Sequence, residues 1–212
     1  MNKYEMLHED KIEIGSHTLY RIRALKDFGN VKTGDIGGYI EKEANLSQEG
    51  ICWIYDNAWV RGNAKVYDSA KVRGNAKVYG SAWVCGDAWV CGNAKVRGNA
   101  WVCGSAKVCG NAMVYDRVRV YGNAWVYGNA WVYGNAWVCG SAKVCGSAKI
   151  SKANDILCIA PIGSRNNTTT FFKTKDNNIG VNCGCFTGTI DDFLEAVNKT
   201  HGENKHAKAY KL

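Results

Sequence analysis

The chain has 212 residues, 46% hydrophobic and 22% charged, with 27 Lys and Arg against 19 Asp and Glu for a net charge of +8. That allows one elongated unit with small flanking pieces, and nothing signals a second large globular domain. The apolar runs are too short for a transmembrane helix, and the opening MNKYEMLHEDKIEI is too charged for a signal peptide. Ten Cys without an export signal argue for a reducing cytoplasm and free thiols.

The charge is unevenly placed. Residues 1–53 carry seven Lys and Arg against nine Asp and Glu (−2), residues 54–150 twelve against four (+8), and residues 151–212 eight against six (+2). The middle of the chain therefore holds the excess. A basic surface of this kind attracts nucleic acid, nucleotides or another anionic partner, and also serves plain solubility.

At the start, His17 to Leu25 alternates like a strand, and KDFGNVKTGDIGGYI supplies turns at Gly29-Asn30, at Lys32 to Asp35 and at Gly37-Gly38. Ile40 and Leu46 stand six apart with Ala44 in the inward slot, so an irregular first coil begins near Gly38. This segment reads as a cap over an otherwise unpaired edge. The competing reading is a ligand site around Arg23 and Asp27.

From Tyr55 to Ile150 the phrase Gly-Asn-Ala-Trp-Val-Tyr recurs, with variations, every six residues and without an insertion. Ile54, Val60, Val66 and so on to Ile150 make 17 aliphatic positions, all Val or Ile, and Ala precedes each by two in 15 of them, the exceptions being Cys52 and Val118. Ala-x-Val alternates as a short strand with one buried face must. Gly follows each aliphatic by two from Gly62 to Gly146, replaced only by Asp56, Asp68, Asp116 and, at the end, Lys152. Gly and Asn suit a corner at positive φ.

This repeat resembles the left-handed parallel β-helix of hexapeptide-repeat proteins, which implies an all-β solenoid with three hexapeptides, or 18 residues, per coil. Seventeen anchors then give between five and six coils, about 25 Å of prism at the usual ladder spacing. The stretch LKDFGNVKTGDIGGYIEKEANLSQEGICWIYDNA resembles the entry segment of largely uncharacterised bacterial and phage hexapeptide-repeat proteins, some of them labelled acetyltransferases. The expected domains are a cap with the irregular first coil (1–50), the repeat (51–152) and a small C-terminal α+β module (153–212).

At 18-residue steps the outward residue before each aliphatic forms three columns. They read Trp53, Lys71, Trp89, Lys107, Trp125, Lys143; then Trp59, Lys77, Lys95, Met113, Trp131, Lys149; then Lys65, Trp83, Trp101, Arg119, Trp137. All eight Trp lie in these columns, and stacking them on Lys or Arg predicts cation–π pairs worth ~0.5–1 kcal/mol each when exposed. The next positions stack Cys85 on Cys103 and Cys91 on Cys109, with Cys139 and Cys145 farther along. Exposed thiols beside exposed Trp predict a covered face. Trimerisation, common in the proteins this repeat resembles, is the expected cover, and a bound partner the alternative. Around Val118 the repeat breaks, and Arg117 and Arg119 with Lys95 make either an anion site or simple drift of the repeat, drift being favoured.

After Ile150 the period stops. DILCIAPIGS and TTTFFKTK read as strands, Ile179 to Phe186 as a third, and Thr189 to His201 as a helix opened by a Thr189/Asp192 capping box and ended by Gly202, a β-β-β-α plug for the last coil. APIGSRNNTTTFF and CGCFTGTIDDF resemble a module of phage and prophage proteins. Cys183, Cys185, His201 and His206 have zinc-binding chemistry but no zinc spacing, and strand alternation sends both Cys to one face. Arg165, beside Thr168, Thr169 and Thr170, is a candidate for holding a phosphate or carboxylate.

The functional expectation is a non-catalytic, cytoplasmic binding protein that recognises a nucleotide, nucleic acid or protein partner, with no cofactor, no metal and no membrane contact. Its candidate binding residues are Trp89, Trp125, Lys107, Trp83, Trp101, Arg119, Arg117 and Arg165. Aromatic faces beside cations suit stacked bases with phosphates. The phage resemblance extends this to inhibition of a host-defence component or its nucleotide signal. The alternatives are a hexapeptide-type acyltransferase or a structural scaffold. The first is weakened because no His lies between His17 and His201 to act as general base.

Overall fold

The computed structural model describes residues 2–211. Seventeen two-residue strands, β4 (Trp53–Ile54) to β20 (Lys149–Ile150), start every six residues and are separated by corners. Each corner holds a Gly at φ between 60° and 74°, or one of Asp56, Asp68 and Asp116 at φ 56°, 60° and 64°. Asp replaces Gly for a reason beyond its tolerance of this conformation. Its carboxylate accepts the backbone N–H of the next coil's corner, Gly74 on Asp56 at 2.8 Å, Gly86 on Asp68 at 2.9 Å and Gly134 on Asp116 at 3.0 Å.

Each strand pairs in parallel with the one 18 residues on, as Trp89 with Lys107 and Val90 with Val108. Three parallel ladders result: β4 to β19, β5 to β20 and β6 to β18, each in steps of three strands. The solenoid makes about six turns. Inward Ala and Val form one continuous core, nearly all of them fully buried, each Val contributing ~1.5–3 kcal/mol. At one corner Asn75, Asn93, Asn111 and Asn129 run as an amide ladder with bonds of 3.3, 3.1 and 3.1 Å.

The N-terminal cap holds more strand than the sequence suggested. β1 (Tyr4–Ile14) forms an antiparallel hairpin with β2 (His17–Ala24), β2 pairs with β3 (Ile36–Ile40), and β3 joins the solenoid through β5 (Trp59–Val60). β1 escaped because its outer part, His8 to Lys11, is charged and solvated. The turn expected at Gly37-Gly38 lies inside β3 instead. A Cβ on Gly37 would stand 2.6 Å from Ile22 and 2.7 Å from the Ile54 carbonyl, so Gly serves close approach there. Beneath the cap Trp53 is buried edge-on to Phe28 and Tyr4 at 5.4 and 6.2 Å. Buried Lys3 donates to the Glu49 and Cys52 carbonyls at 3.2 and 3.1 Å, and desolvation lowers its pKa. Arg23 pairs with Glu5, and Asp27 with Lys32 and Thr33, so the alternative ligand pair is separately engaged.

The C-terminal module corrects the expected β-β-β-α order to four strands and two helices. β21 (Ile156–Ile162), β22 (Asn167–Lys173), β23 (Ile179–Cys183) and β24 (Phe186–Thr189) form an antiparallel sheet in that order, followed by α1 (Ile190–His201) and α2 (Lys205–Lys211). The single strand predicted over 179–186 folds back at Gly184, φ 61°, which makes it a hairpin. Thr189 and Asp192 cap α1 reciprocally, and Gly202 ends it. Phe172 enters the solenoid core and Thr170 Oγ1 accepts from Lys143 N at 3.1 Å, which seats β22 on the last coil. Among the described residues no helix is long and apolar enough to cross a membrane.

Candidate functional site

The N-terminal cap buries the first outward Trp and leaves the later ones increasingly open. Trp53 and Trp59 lie under the cap at 1% and 7% exposure and Trp83 and Trp89 are half-buried, whereas Trp125, Trp101 and Trp137 reach 41%, 42% and 51%. The sequence columns could not show this, because the cover comes from residues far away in the chain.

On the third ladder Lys65 stands over Trp83 at 5.7 Å, and Trp83 stacks on Trp101 with centroids 5.2 Å apart and planes 1° off parallel. Arg119 lies between Trp101 and Trp137, its guanidinium 5.3 and 5.2 Å from the two ring centroids. Tyr121 packs edge-on to Trp137 at 6.5 Å. A cleft of about 210 Å³ opens among Trp101, Cys103, Arg119, Tyr121 and Trp137. A guanidinium held by its faces keeps its N–H edge for an anion, and Arg119 has no side-chain hydrogen bond or ion pair among the described residues. A hydrogen bond to the Cys139 thiol raises the Tyr121 pKa.

The first ladder is more self-contained. Lys107 bridges Trp89 and Trp125 at 5.4 and 4.6 Å, and Lys71 and Lys143 cover the same two rings from the other sides at 5.3 and 5.6 Å. On the second ladder Lys175 of the C-terminal module stands over Trp131 at 4.5 Å, leaving the ring still exposed.

The candidate residues therefore fall in separate places. Trp89, Lys107 and Trp125 share the first ladder and Trp83, Trp101 and Arg119 the third. Arg117 is exposed in the corner before Arg119, while Lys95 lies on the second ladder, so no three-cation cluster forms. Arg165 is in the C-terminal module, where Nη1 meets Cys185 Sγ at 3.6 Å and that contact raises its pKa. Trp137 belongs with the third set; its column placed it there, although it was not among the residues singled out.

Four of the ten thiols are not free, contrary to expectation: Cys85 is bonded to Cys103 and Cys91 to Cys109, with Cα atoms 4.6 Å apart in each pair. Ladder stacking brings positions 18 apart within the roughly 4.4–6.8 Å that a disulfide spans. Farther along, Tyr121 and Tyr127 separate Cys139 and Cys145 from those pairs in their columns. Burial and a hydrogen bond to Cys145 push the Tyr127 pKa up to about 12. The expectation that Cys183 and Cys185 share a face does not hold. Cys183 receives the Thr169 hydroxyl at 3.1 Å, whereas Cys185 is exposed in the hairpin turn. His201 lies 5.8 Å from His206 and 5.9 Å from Tyr210 with the rings tilted, and the described residues contain no group of three or more metal-ligating side chains.

The family model described as YdcK beta solenoid repeat matches residues 114–128, 118–133 and 124–140, the coils that carry Arg119, Trp125 and Trp137. The chain is also 41% identical over 63 residues to a protein of Escherichia coli (strain K12) named "Uncharacterized acetyltransferase YdcK". That match covers 26% of this chain and 19% of the relative's length. The repeat, the three parallel ladders and these two matches make the chain a β-helix repeat protein.

Proposed function

We propose that the chain is a non-catalytic binding protein whose third ladder takes single-stranded nucleic acid around Trp101, Arg119 and Trp137. The observation that carries this reading is a cation held between two exposed indoles on a rigid ladder. Bases stack on indoles at ~1–3 kcal/mol each without regard to sequence. Phosphates meet the cations of a segment whose net charge is +8, with three of its four carboxylates already bonded to backbone. The other ladders, with Trp125 and Trp131 exposed, are the surfaces on which a homotrimer would form. In its narrowest form the proposal makes the protein a phage accessory that captures a host-defence nucleic acid or nucleotide signal, and this rests on the sequence resemblance alone.

The test is ultraviolet cross-linking to an oligothymidylate, followed by peptide mapping. Cross-links should fall on Trp101, Tyr121 and Trp137. Cross-links confined to the cap or the C-terminal module would reject the third ladder as the site.

A second reading, acyl transfer, is favoured by the name of the matched relative. It lacks a histidine general base on the solenoid, since residues 18–200 contain no His. Turnover of acetyl-coenzyme A by the purified protein would establish it.

A further inference from the structure

The sheet of the C-terminal module packs on the last coil through Phe172 and Thr170, and α1 covers its other side away from β21. α1 packs Phe193 against Phe171 and Phe186, at 6.1 and 5.4 Å, and buries Val197 beside Val181. β21 is an edge strand of that sheet and is exposed along most of its length, although it reads ILCIAPI. Leu157, Ile159 and Ile179 are 57%, 37% and 47% exposed there. Together with Pro161, Phe171 and Leu194 they line a cleft of about 910 Å³ between β21, β22, the start of β23 and the two helices. That volume falls in the roughly 300–1,000 Å³ range of small-molecule sites, and apolar walls with few polar groups are their usual character.

The charges on the lining are one-sided. Asp155 is its single carboxylate, buried and already accepting from Ser151 N at 2.8 Å, Ser151 Oγ at 2.7 Å and Lys152 N at 3.1 Å. Lys173 and Lys211 are exposed at the rim and form no ion pair among the described residues. We propose that this cleft binds an unbranched aliphatic carboxylate, its chain along β21 and its head group at a rim lysine. The apolar walls supply affinity and the two ammonium groups select an anionic end over a neutral or cationic one. This site is independent of the third-ladder reading and stands or falls apart from it.

The test uses the full chain with methyl-labelled Ile and Leu, titrated with sodium decanoate, decanol and decyltrimethylammonium. Decanoate should shift the methyls of Leu157, Ile159, Ile179 and Leu194 with a Kd on the order of 100 µM, and the cationic probe should bind at least tenfold more weakly. Ile159→Asp, at an exposed position, should weaken decanoate at least tenfold with an unchanged melting curve. Lys173→Gln or Lys211→Gln should narrow the preference for carboxylate over alcohol and so mark the head-group end. The proposal fails if decanoate produces no shift at 1 mM, if the cationic probe binds equally, or if Ile159→Asp binds like wild type. It also fails if the cleft methyls broaden with protein concentration alone, which would mark the occupant as a second copy of the chain.

Discussion

Val96→Asp should prevent folding. Val96 is fully buried at the middle of the prism, enclosed by the Ala and Val of its own coil and of the coils on either side. The exchange removes ~1.5–3 kcal/mol of burial. It also places a carboxylate where neighbouring backbone is already spent on the ladder, as in Lys95 N to Ala112 O and Arg97 N to Val114 O, both at 2.9 Å. An unpaired buried charge costs several kcal/mol more, against a total stability of roughly 5–15 kcal/mol for a typical domain. Because each coil is supported only by its neighbours, the loss cannot be confined to one end. Far-UV circular dichroism should show an unfolded or insoluble product, and a melting midpoint within a few degrees of wild type would refute the continuous-core description.

The second large effect concerns the candidate face. Trp101→Ala with Trp137→Ala should leave the fold intact, since both rings are among the most exposed large side chains and the backbone ladder does not depend on them. Binding of a labelled oligothymidylate should fall about 30-fold or more. Two stacking partners at ~1–3 kcal/mol each are lost, and Arg119 loses the rings that hold it in place. The matched control is Trp89→Ala on the first ladder, half-buried between Lys71 and Lys107, which should change binding less than threefold. Fluorescence anisotropy measures both. Equal losses from the two ladders would mean that the third face has no special role.

The inside and outside of the solenoid were legible because the repeat decides each side chain's direction locally: Val60 or Ala64 faces inward whatever lies elsewhere in the chain. The three Asp corners were visible as replacements for Gly, but their bonds to the next coil depend on stacking geometry. Stacking of Cys85 on Cys103 was read from spacing, whereas the bond between them required the coil separation. What the pattern missed is non-local. His8 to Lys11 look like loop residues and belong to a projecting hairpin, and Cys183 to Phe186 look like a continuous strand until Gly184 turns it. The apolar run of β21 was legible as a strand, but not that it would lie exposed at an edge of its sheet and line a cleft. Likewise the three Trp columns look equivalent on paper. Only the cap separates a buried Trp53 from an open Trp137.

The measurement that bears most directly on the binding claim is the dissociation constant of the intact protein for a twelve-nucleotide oligothymidylate at 50 and 200 mM salt. Lys65, Arg117 and Arg119 would neutralise about three phosphates along the third ladder and its corner, which predicts micromolar binding at low salt and weakening by about 20-fold at the higher concentration. No binding at 50 mM, or an affinity indifferent to salt, would contradict a basic aromatic face built for single-stranded nucleic acid.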